Sequence, residues 1–203
     1  MIKRYKLNEI EKLANILKED GVISVPTDTV FGICGKIESE LAYHKIIKLK
    51  NRSLEKSFPV MCANENQIKN IAIVNERAEK IIKEFMPGPI TLVLKKNNKL
   101  PEYVTNGKDT IAVRMATSKA IEKLILKTES PIFMTSANKS GEPECTTLDE
   151  IENACPFLDG MMEGNVVYSQ GSTIVDCTNE EIKILREGPI SLEQIKKVIY
   201  KNK

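Results

Sequence analysis

Short apolar runs alternate with longer segments in which apolar residues recur at helical spacing. The short runs are typical of buried strands, and the longer segments are typical of amphipathic helices. The predicted strands cover residues 22–25, 30–35, 58–62, 90–94, 110–115, 131–134, 172–176 and 182–186. The predicted helices cover residues 41–50, 76–86 and 118–127, and others follow Asn8, Thr147 and Ser191. This order predicts an α/β protein with a mixed sheet.

Capping residues and a glycine mark several predicted helix ends. Three pairs have the spacing of an N-terminal capping box, namely Asn8 with Glu11, Thr147 with Glu150 and Ser191 with Gln194. Gly21 is placed to end the first helix, and the polar segment 96–108 is predicted to be a loop. Because 203 residues suffice for one domain, we predict a single domain over 1–203, with at most a small C-terminal lobe.

Composition narrows the class of protein. The net charge is only +2, so bulk charge does not indicate a nucleic-acid binder. No apolar run approaches the roughly 18 residues of a membrane span, and no signal peptide is predicted. The five cysteines are widely spaced and form no C-x-x-C pair, which argues against a disulfide framework or a thiolate zinc site. We therefore predict a reduced protein of the cytoplasm.

The single histidine, His44, restricts the chemistry further. It excludes a multi-histidine metal site, and it allows Ser-His-Asp chemistry only if His44 itself takes part. His44 lies among lysines on a predicted helix, where we expect a solvated side chain. Catalysis must then come from hydroxyls, carboxylates, lysine, arginine and the backbone.

Small polar residues separate two apolar runs within the segment 21–35. Pro26 ends the first run because it has no N–H for a strand ladder, and Thr27, Asp28 and Thr29 follow it. This turn is either a plain hairpin turn or a polar cup for a ligand.

Other predicted strands also end in polar or cationic residues, namely Arg114, the segment 136–138 and Arg186. Ligands in open α/β sheets bind outside the carboxyl ends of strands. The repeated pattern predicts a ligand site, whereas any single instance is also compatible with ordinary strand termination.

A group of cations, Lys50, Arg52 and Lys56, follows the predicted helix 41–50. Arginine offers a planar fork and lysine a movable point charge, so the group could hold a polyphosphate. The alternative is a solvated basic helix end that suits the helix dipole.

Six segments match, in order, the motifs of one known family. They are PTDTVFG (26–32), KNR (50–52), the arginine of VRM (Arg114), SAN (136–138), STIVD (172–176) and LREG (185–188). On these motifs the chain resembles the YrdC-like family of L-threonylcarbamoyladenylate synthases, in its short single-domain form. The resemblance implies a twisted mixed sheet with flanking helices around a basic cleft.

The resemblance also implies a reaction. The family makes threonylcarbamoyl-AMP from L-threonine, bicarbonate or CO2 and ATP, and releases pyrophosphate. Mg²⁺ is expected on the phosphates, although the sequence shows no protein cage for a metal. The product would serve the threonylcarbamoyl modification of adenosine beside the tRNA anticodon. The tRNA and a downstream threonylcarbamoyl transferase are therefore candidate partners, and no membrane partner is expected.

Site residues follow from the same resemblance. Catalysis would rest on the residues that match the family's K-x-R and S-x-N tetrad: Lys50, Arg52, Ser136 and Asn138. ATP would be bound by Arg52, Lys56, Thr110, Ser136, Asn138, Thr146 and Arg186. Threonine would be bound by Thr27 or Thr29, Ser172 and Arg114, with Arg114 clamping the carboxylate.

Three positions depart from the family pattern. Phe31 stands where many members have tyrosine, and Ser57 with Phe58 follows Lys56 where many have a Pro-Leu pair. Met61 stands where some relatives carry a histidine that contacts substrate.

Two other functions fit the sequence less closely. A non-catalytic RNA-binding module would show salt-dependent RNA binding without turnover. A carbamoyl-adenylate synthase that uses carbamoyl phosphate would resemble the YrdC-like domain of hydrogenase-maturation proteins. Those domains lie in longer chains with zinc-finger segments, which this sequence lacks.

Overall fold

A computed structural model describes residues 1–51, 57–166 and 171–200. The strands are β1 Arg4–Tyr5, β2 Ile23–Pro26, β3 Phe31–Lys36, β4 Val60–Cys62, β5 Ala72–Ile73, β6 Ile90–Lys96, β7 Thr110–Met115, β8 Ile132–Ser136, β9 Gly160–Met162, β10 Thr173–Asp176 and β11 Lys183–Arg186. The helices are α1 Ile10–Lys18, α2 Glu40–Lys50, α3 Glu65–Ile71, α4 Glu76–Phe85, α5 Glu102–Thr105, α6 Lys119–Thr128, α7 Leu148–Ala154 and α8 Leu192–Ile199. The helix predicted after Asn8 is preceded by a 3₁₀ turn, Leu7–Glu9.

The described strands form one sheet in the order β1-β9-β2-β3-β8-β4-β7-β6-β10-β11, and β5 pairs with β6. Parallel and antiparallel pairs both occur, which confirms the predicted mixed sheet. Following the pairings across the sheet, β2 and β8 run in one direction, and β7 and β11 run in the opposite direction. The carboxyl ends of these four strands therefore do not share one edge of the sheet.

Buried side chains form two clusters on opposite faces of the sheet. Consecutive residues of β3 show this, because Ile33 belongs to one cluster and Cys34 to the other. Helices α2, α4 and α8 contribute apolar residues to the first cluster, and α1 and α6 contribute to the second. The sheet is thus covered by helices on both faces, as the alternating sequence pattern predicts.

Two of the three predicted capping boxes are confirmed, at Thr147 with Glu150 and at Ser191 with Gln194. The prediction of Asn8 with Glu11 is wrong, because the Glu9 carboxylate instead accepts the backbone N–H of Lys6 at 3.0 Å. At the other end of α1, Asp20 rather than Gly21 takes the left-handed conformation, with φ 61°. The N–H of Gly21 then caps the helix by donating to Ile16 O at 2.8 Å.

Several short elements were not predicted. Segment 96–108, predicted as a loop, contains α5, and α3 lies between two predicted elements.

None of the described helices is both long and apolar enough to cross a membrane. His44 is confirmed as a solvated residue, with 59% of its side chain exposed.

The cysteines provide a test of the packing. All five are free and buried. Burial raises the pKa of the Cys62 thiol to about 12 and that of Cys155 to about 11. Because the thiolate is the reactive form, iodoacetamide at pH 7 should label the folded chain very slowly. Intact-mass measurement should show five labels only after unfolding in guanidinium, and rapid labelling of one folded-state thiol would contradict its burial.

Candidate functional site

A cavity of about 210 Å³ lies against the polar turn between β2 and β3. Its described lining includes hydroxyl and charged side chains from distant parts of the sequence: Thr27, Thr29, Thr91, Thr135, Ser136, Ser172, Arg114, Arg186 and Glu144. The charged groups in this lining are two guanidinium groups and one carboxylate. Such a set of donors suits a ligand that carries negative charge and hydroxyl groups.

The polar turn is held in shape by its own hydroxyls. Thr27 Oγ1 donates to Val30 O at 2.6 Å and accepts the backbone N–H groups of Thr29 and Val30, each at 3.2 Å. The hydroxyls of Thr27 and Thr29 lie 3.0 Å apart. Hence the Thr27 hydroxyl mainly stabilises the turn. Thr29 is only 2% exposed, and its hydroxyl lies between that of Thr27 and the guanidinium of Arg114.

Arg114 lies near the end of β7 and is 6% exposed. Its Nη1 donates to Thr29 Oγ1 at 3.1 Å, and its Nη2 donates to Gly88 O at 3.2 Å and to Asp28 Oδ1. Burial lowers the pKa of Arg114, and the neighbouring Asp28 carboxylate opposes that effect. The guanidinium stays charged because its ordinary pKa is so high.

A second arginine borders the cavity at the end of β11. Arg186 Nε donates to Ser172 O at 3.0 Å, and its Nη2 donates to Ser172 Oγ at 3.2 Å. Ser172 Oγ also lies 2.8 Å from Thr91 Oγ1. A side chain at Gly171 would place Cβ 2.8 Å from Arg186 Cζ, so the guanidinium would have to shift from its place against the backbone.

The third polar group joins the end of α2 to the end of β8. Lys50 is 2% exposed, and its Nζ donates to Ser136 O at 2.7 Å and to Asn138 Oδ1 at 2.6 Å. Ser136 Oγ donates to the same Asn138 oxygen at 2.6 Å. For Lys50, the alternative of a solvated helix end is therefore wrong. Ser136 lines the cavity, and Lys50 supports it from the protein interior.

The loop after Asn138 is tied to this group. Asn138 Nδ2 donates to Glu142 O at 2.6 Å, and Ser140 N donates to Lys50 O at 2.8 Å. The N–H of Cys145 donates to Ala137 O at 3.2 Å. These bonds on either side of Glu144 hold it where it lines the cavity.

Two other residues predicted for the nucleotide site, Thr110 and Thr146, are described by the structure outside the cavity lining. Thr110 starts β7, four positions before Arg114, and is not among the described residues that line the cavity. Thr146 is exposed, and its backbone N–H and hydroxyl both bond Glu150. Arg52 and Lys56 fall outside the described residues, so their predicted roles stay predictions.

Sequence reasoning also missed some residues of the site. Thr91 is the second residue of β6, and only its pairing with Ser172 shows that it faces the cavity. Glu144 lies in a loop without a distinctive pattern. The Cα of Met61 pairs with that of Arg114 between β4 and β7, and Met61 is fully buried.

Metal ligands are sparse in this region. Within residues 1–51, 57–166 and 171–200, no three histidine, cysteine, aspartate or glutamate side chains gather as a metal-binding group. Glu144 is the charged oxygen donor in the described lining, with hydroxyls such as that of Ser136 nearby on the same wall. Such a set fits a hard cation held chiefly by the oxygens of a bound ligand.

The fold and the cavity together define a mixed α/β protein with a ligand site of hydroxyls and buried cations. The chain belongs to the Sua5/YciO/YrdC family, because the family model described as "Telomere recombination" matches residues 15–188.

Named relatives extend over nearly the whole chain. A Methanocaldococcus jannaschii protein, provisionally named threonylcarbamoyl-AMP synthase, is 34% identical over 203 residues, with 96% of each chain covered. The threonylcarbamoyl-AMP synthase of Pyrococcus abyssi is 34% identical over 194 residues. These cover 94% of this chain and 57% of the Pyrococcus protein, so the chain spans somewhat more than half of that relative.

A solved structure supports the same grouping. The crystal structure of P. abyssi Sua5 complexed with L-threonine superposes with a TM-score of 0.91 and 32% sequence identity. The superposition covers 98% of this chain and 61% of that one.

Proposed function

We propose that this protein is a threonylcarbamoyl-AMP synthase that joins L-threonine, bicarbonate or CO2 and ATP, and releases pyrophosphate. The observation that carries the proposal is that one cavity is lined both by Arg114, beside the polar turn 27–29, and by Ser136, at the end of β8. We call the first part of the lining the Arg114 cup and the second the Ser136 wall. The cup suits an amino-acid carboxylate, and the wall, backed by Lys50, suits phosphates. The names of the relatives with near-complete coverage support the same reaction.

The threonine end of the site follows from the hydrogen bonds around Arg114. In the proposal, the guanidinium binds the substrate carboxylate, and hydroxyls of Thr29 and Ser172 face its remaining polar groups. A site built to hydrogen-bond a substrate hydroxyl rejects an analogue without it, because its own polar groups are left unpaired. Valine should therefore be a much poorer substrate than threonine, while serine differs only by a methyl group.

The reaction needs positioning and charge neutralisation rather than a protein nucleophile. The amine of threonine loses a proton and bonds to CO2, which gives an N-carboxylate. An oxygen of this carboxylate attacks the α-phosphorus of ATP, and the bond to the pyrophosphate oxygen breaks. Lys50 and Ser136 would stabilise the charge on the phosphates, and Arg114 would hold the attacking molecule in place.

Mg²⁺ would neutralise phosphate charge when bound, and Glu144 with Ser136 would face it from the cavity wall. The product would pass to the transferase that completes the tRNA modification. We place these steps in the cytoplasm, and the free, buried cysteines are compatible with that compartment.

Pyrophosphate release tests the proposed function. We expect release from ATP and Mg²⁺ only when threonine and bicarbonate are both present, because the N-carboxylate is the attacking group. Mass spectrometry should detect threonylcarbamoyl-AMP in the same mixture, and replacing threonine with valine should nearly abolish both signals.

Other outcomes of the pyrophosphate assay would indicate other functions. Release without threonine would indicate another acceptor or simple ATP hydrolysis. Absence of release from a folded protein, combined with salt-dependent RNA binding, would favour the RNA-binding module instead.

A further inference from the structure

Asp28 lies in the polar turn beside Arg114. The proposed reaction assigns no catalytic step to it. Its side chain is 13% exposed, and it forms an ion pair with Arg114, whose side chain is 7% exposed. Asp28 is not among the described residues that line the cavity, whereas Arg114 is. The carboxylate therefore contacts the guanidinium from the protein side rather than from the ligand side.

Part of the guanidinium has no partner within the described part of the chain. Nη2 has two hydrogens, and Asp28 and Gly88 O accept from it. Nη1 donates to Thr29, which leaves its second hydrogen. Arg114 Nε and Asp28 Oδ2 are buried and have no hydrogen-bond partner among the described residues. Because Arg114 lines the cavity, the remaining Nη1 hydrogen is the donor that a ligand carboxylate there would receive.

The orientation of the guanidinium depends on few groups. A planar guanidinium binds a carboxylate well only when its fork is held at the correct angle. Gly88 O is fixed by the backbone, and Thr29 is neutral, so Asp28 supplies the charged contact to Arg114 among the described residues. Without that charge, burial alone would favour movement of the guanidinium toward solvent.

We propose that Asp28 is a positioning residue that sets the affinity for the amino-acid substrate by holding the Arg114 fork toward the cavity. This inference rests on the proposed function, because the carboxylate of an amino acid is the ligand that the fork would receive. Asp28 would act entirely through Arg114 and would leave the nucleotide end of the site unchanged.

The variant D28N tests this role, since it keeps an oxygen acceptor but removes the charge. We expect its KM for threonine to rise about tenfold or more, the scale of one charged contact, with kcat and the KM for ATP nearly unchanged. D28E, which restores the charge on a longer arm, should recover part of the loss. D159N is the matched control, because Asp159 accepts from Val22 N at the other end of β2 and lies outside the cavity lining.

A double-mutant cycle separates positioning from a general structural role. In an R114Q background, D28N should change the KM for threonine by less than about twofold, because coupled residues show non-additive effects. Calorimetric titration of threonine into each variant gives the same comparison without turnover. Circular dichroism shows whether each variant is folded.

The outcomes are distinguishable. Unchanged threonine KM and affinity in folded D28N, with an active wild type, would overturn the inference alone. A D28N effect that persists in R114Q, or that raises the KM for ATP equally, would also overturn it. A wild type without threonine-dependent pyrophosphate release would instead overturn the proposed function.

Discussion

Replacing Lys50 with methionine should lower kcat for threonylcarbamoyl-AMP synthesis by about a hundredfold or more, the scale of losing one preorganised charge contact. Lys50 is 2% exposed at the end of α2, and its ammonium group lies within hydrogen-bonding distance of Ser136 O, Ser136 Oγ and Asn138 Oδ1. Methionine keeps the length of the side chain but removes both the charge and the donors. The Ser136 wall of the cavity would then lose its support and its positive potential.

The same substitution should also destabilise the fold. Asn138 Oδ1 would keep the Ser136 hydroxyl as a donor and Ser136 O would keep the N–H of Asn138, but both would lose a charged donor, at a cost of about 1.5–3 kcal/mol. Thermal unfolding should show this, and kinetics should be measured well below the midpoint. K48M is the matched control, because Lys48 is exposed on the same helix. A folded K50M with nearly normal kcat would show that Lys50 takes no part in the reaction.

The sequence predicts most of the larger elements because their patterns are local. Strand β7 was predicted with its observed bounds, Thr110–Met115, and the helix predicted over 118–127 is α6, whose N-terminal cap is Ser118. Elements such as β1 and β9 were not predicted. They have two and three residues, too few to show a period, and they are defined by their pairing with each other and with β2.

The expectation that ligands bind outside the carboxyl ends of strands identified residues of the site. It did not give the correct arrangement of the strands that carry them. Arg114 lies near the end of β7 and Arg186 ends β11; both strands run opposite to β2 and β8, so no common edge brings the four ends together. Contact arises because the turn after β2 reaches β7, where Thr29 lies 3.1 Å from Arg114. Strand order and direction depend on long-range pairing, which periodicity along the chain does not report.

The motifs likewise predicted which residues belong to the site. They did not predict the ion pairs and hydrogen bonds that these residues form. Asp28 was visible in the sequence as part of a polar turn, but its ion pair crosses 86 positions of the chain to Arg114. Lys50 was visible as one of several cations after a helix, and only the fold shows that it is buried against Ser136 and Asn138. Burial and partners are properties of the tertiary structure, so they had no signal in the local pattern.

Replacing Arg114 with lysine should raise the KM for threonine by about 10- to 100-fold while the KM for ATP stays nearly constant. Lysine keeps a positive charge beside Asp28, so the buried carboxylate retains a counterion. It lacks the planar fork, however, and cannot contact the substrate carboxylate while also bonding Thr29 and Gly88 O. The expected loss is therefore one of ground-state binding more than of kcat.

Alanine at this position should be worse for two separable reasons. R114A also removes the fork, and it leaves Asp28 buried without its partner, which typically costs about 3–5 kcal/mol of folding stability. Comparison of R114K with R114A by thermal unfolding and by steady-state kinetics thus separates binding from stability. R4K is the control, because Arg4 forms ion pairs with Asp149 and Glu152 outside the described cavity lining. If folded R114K lost ATP affinity as strongly as threonine affinity, the assignment of this arginine to the threonine carboxylate would be wrong, because the two substrates would then share the same cation.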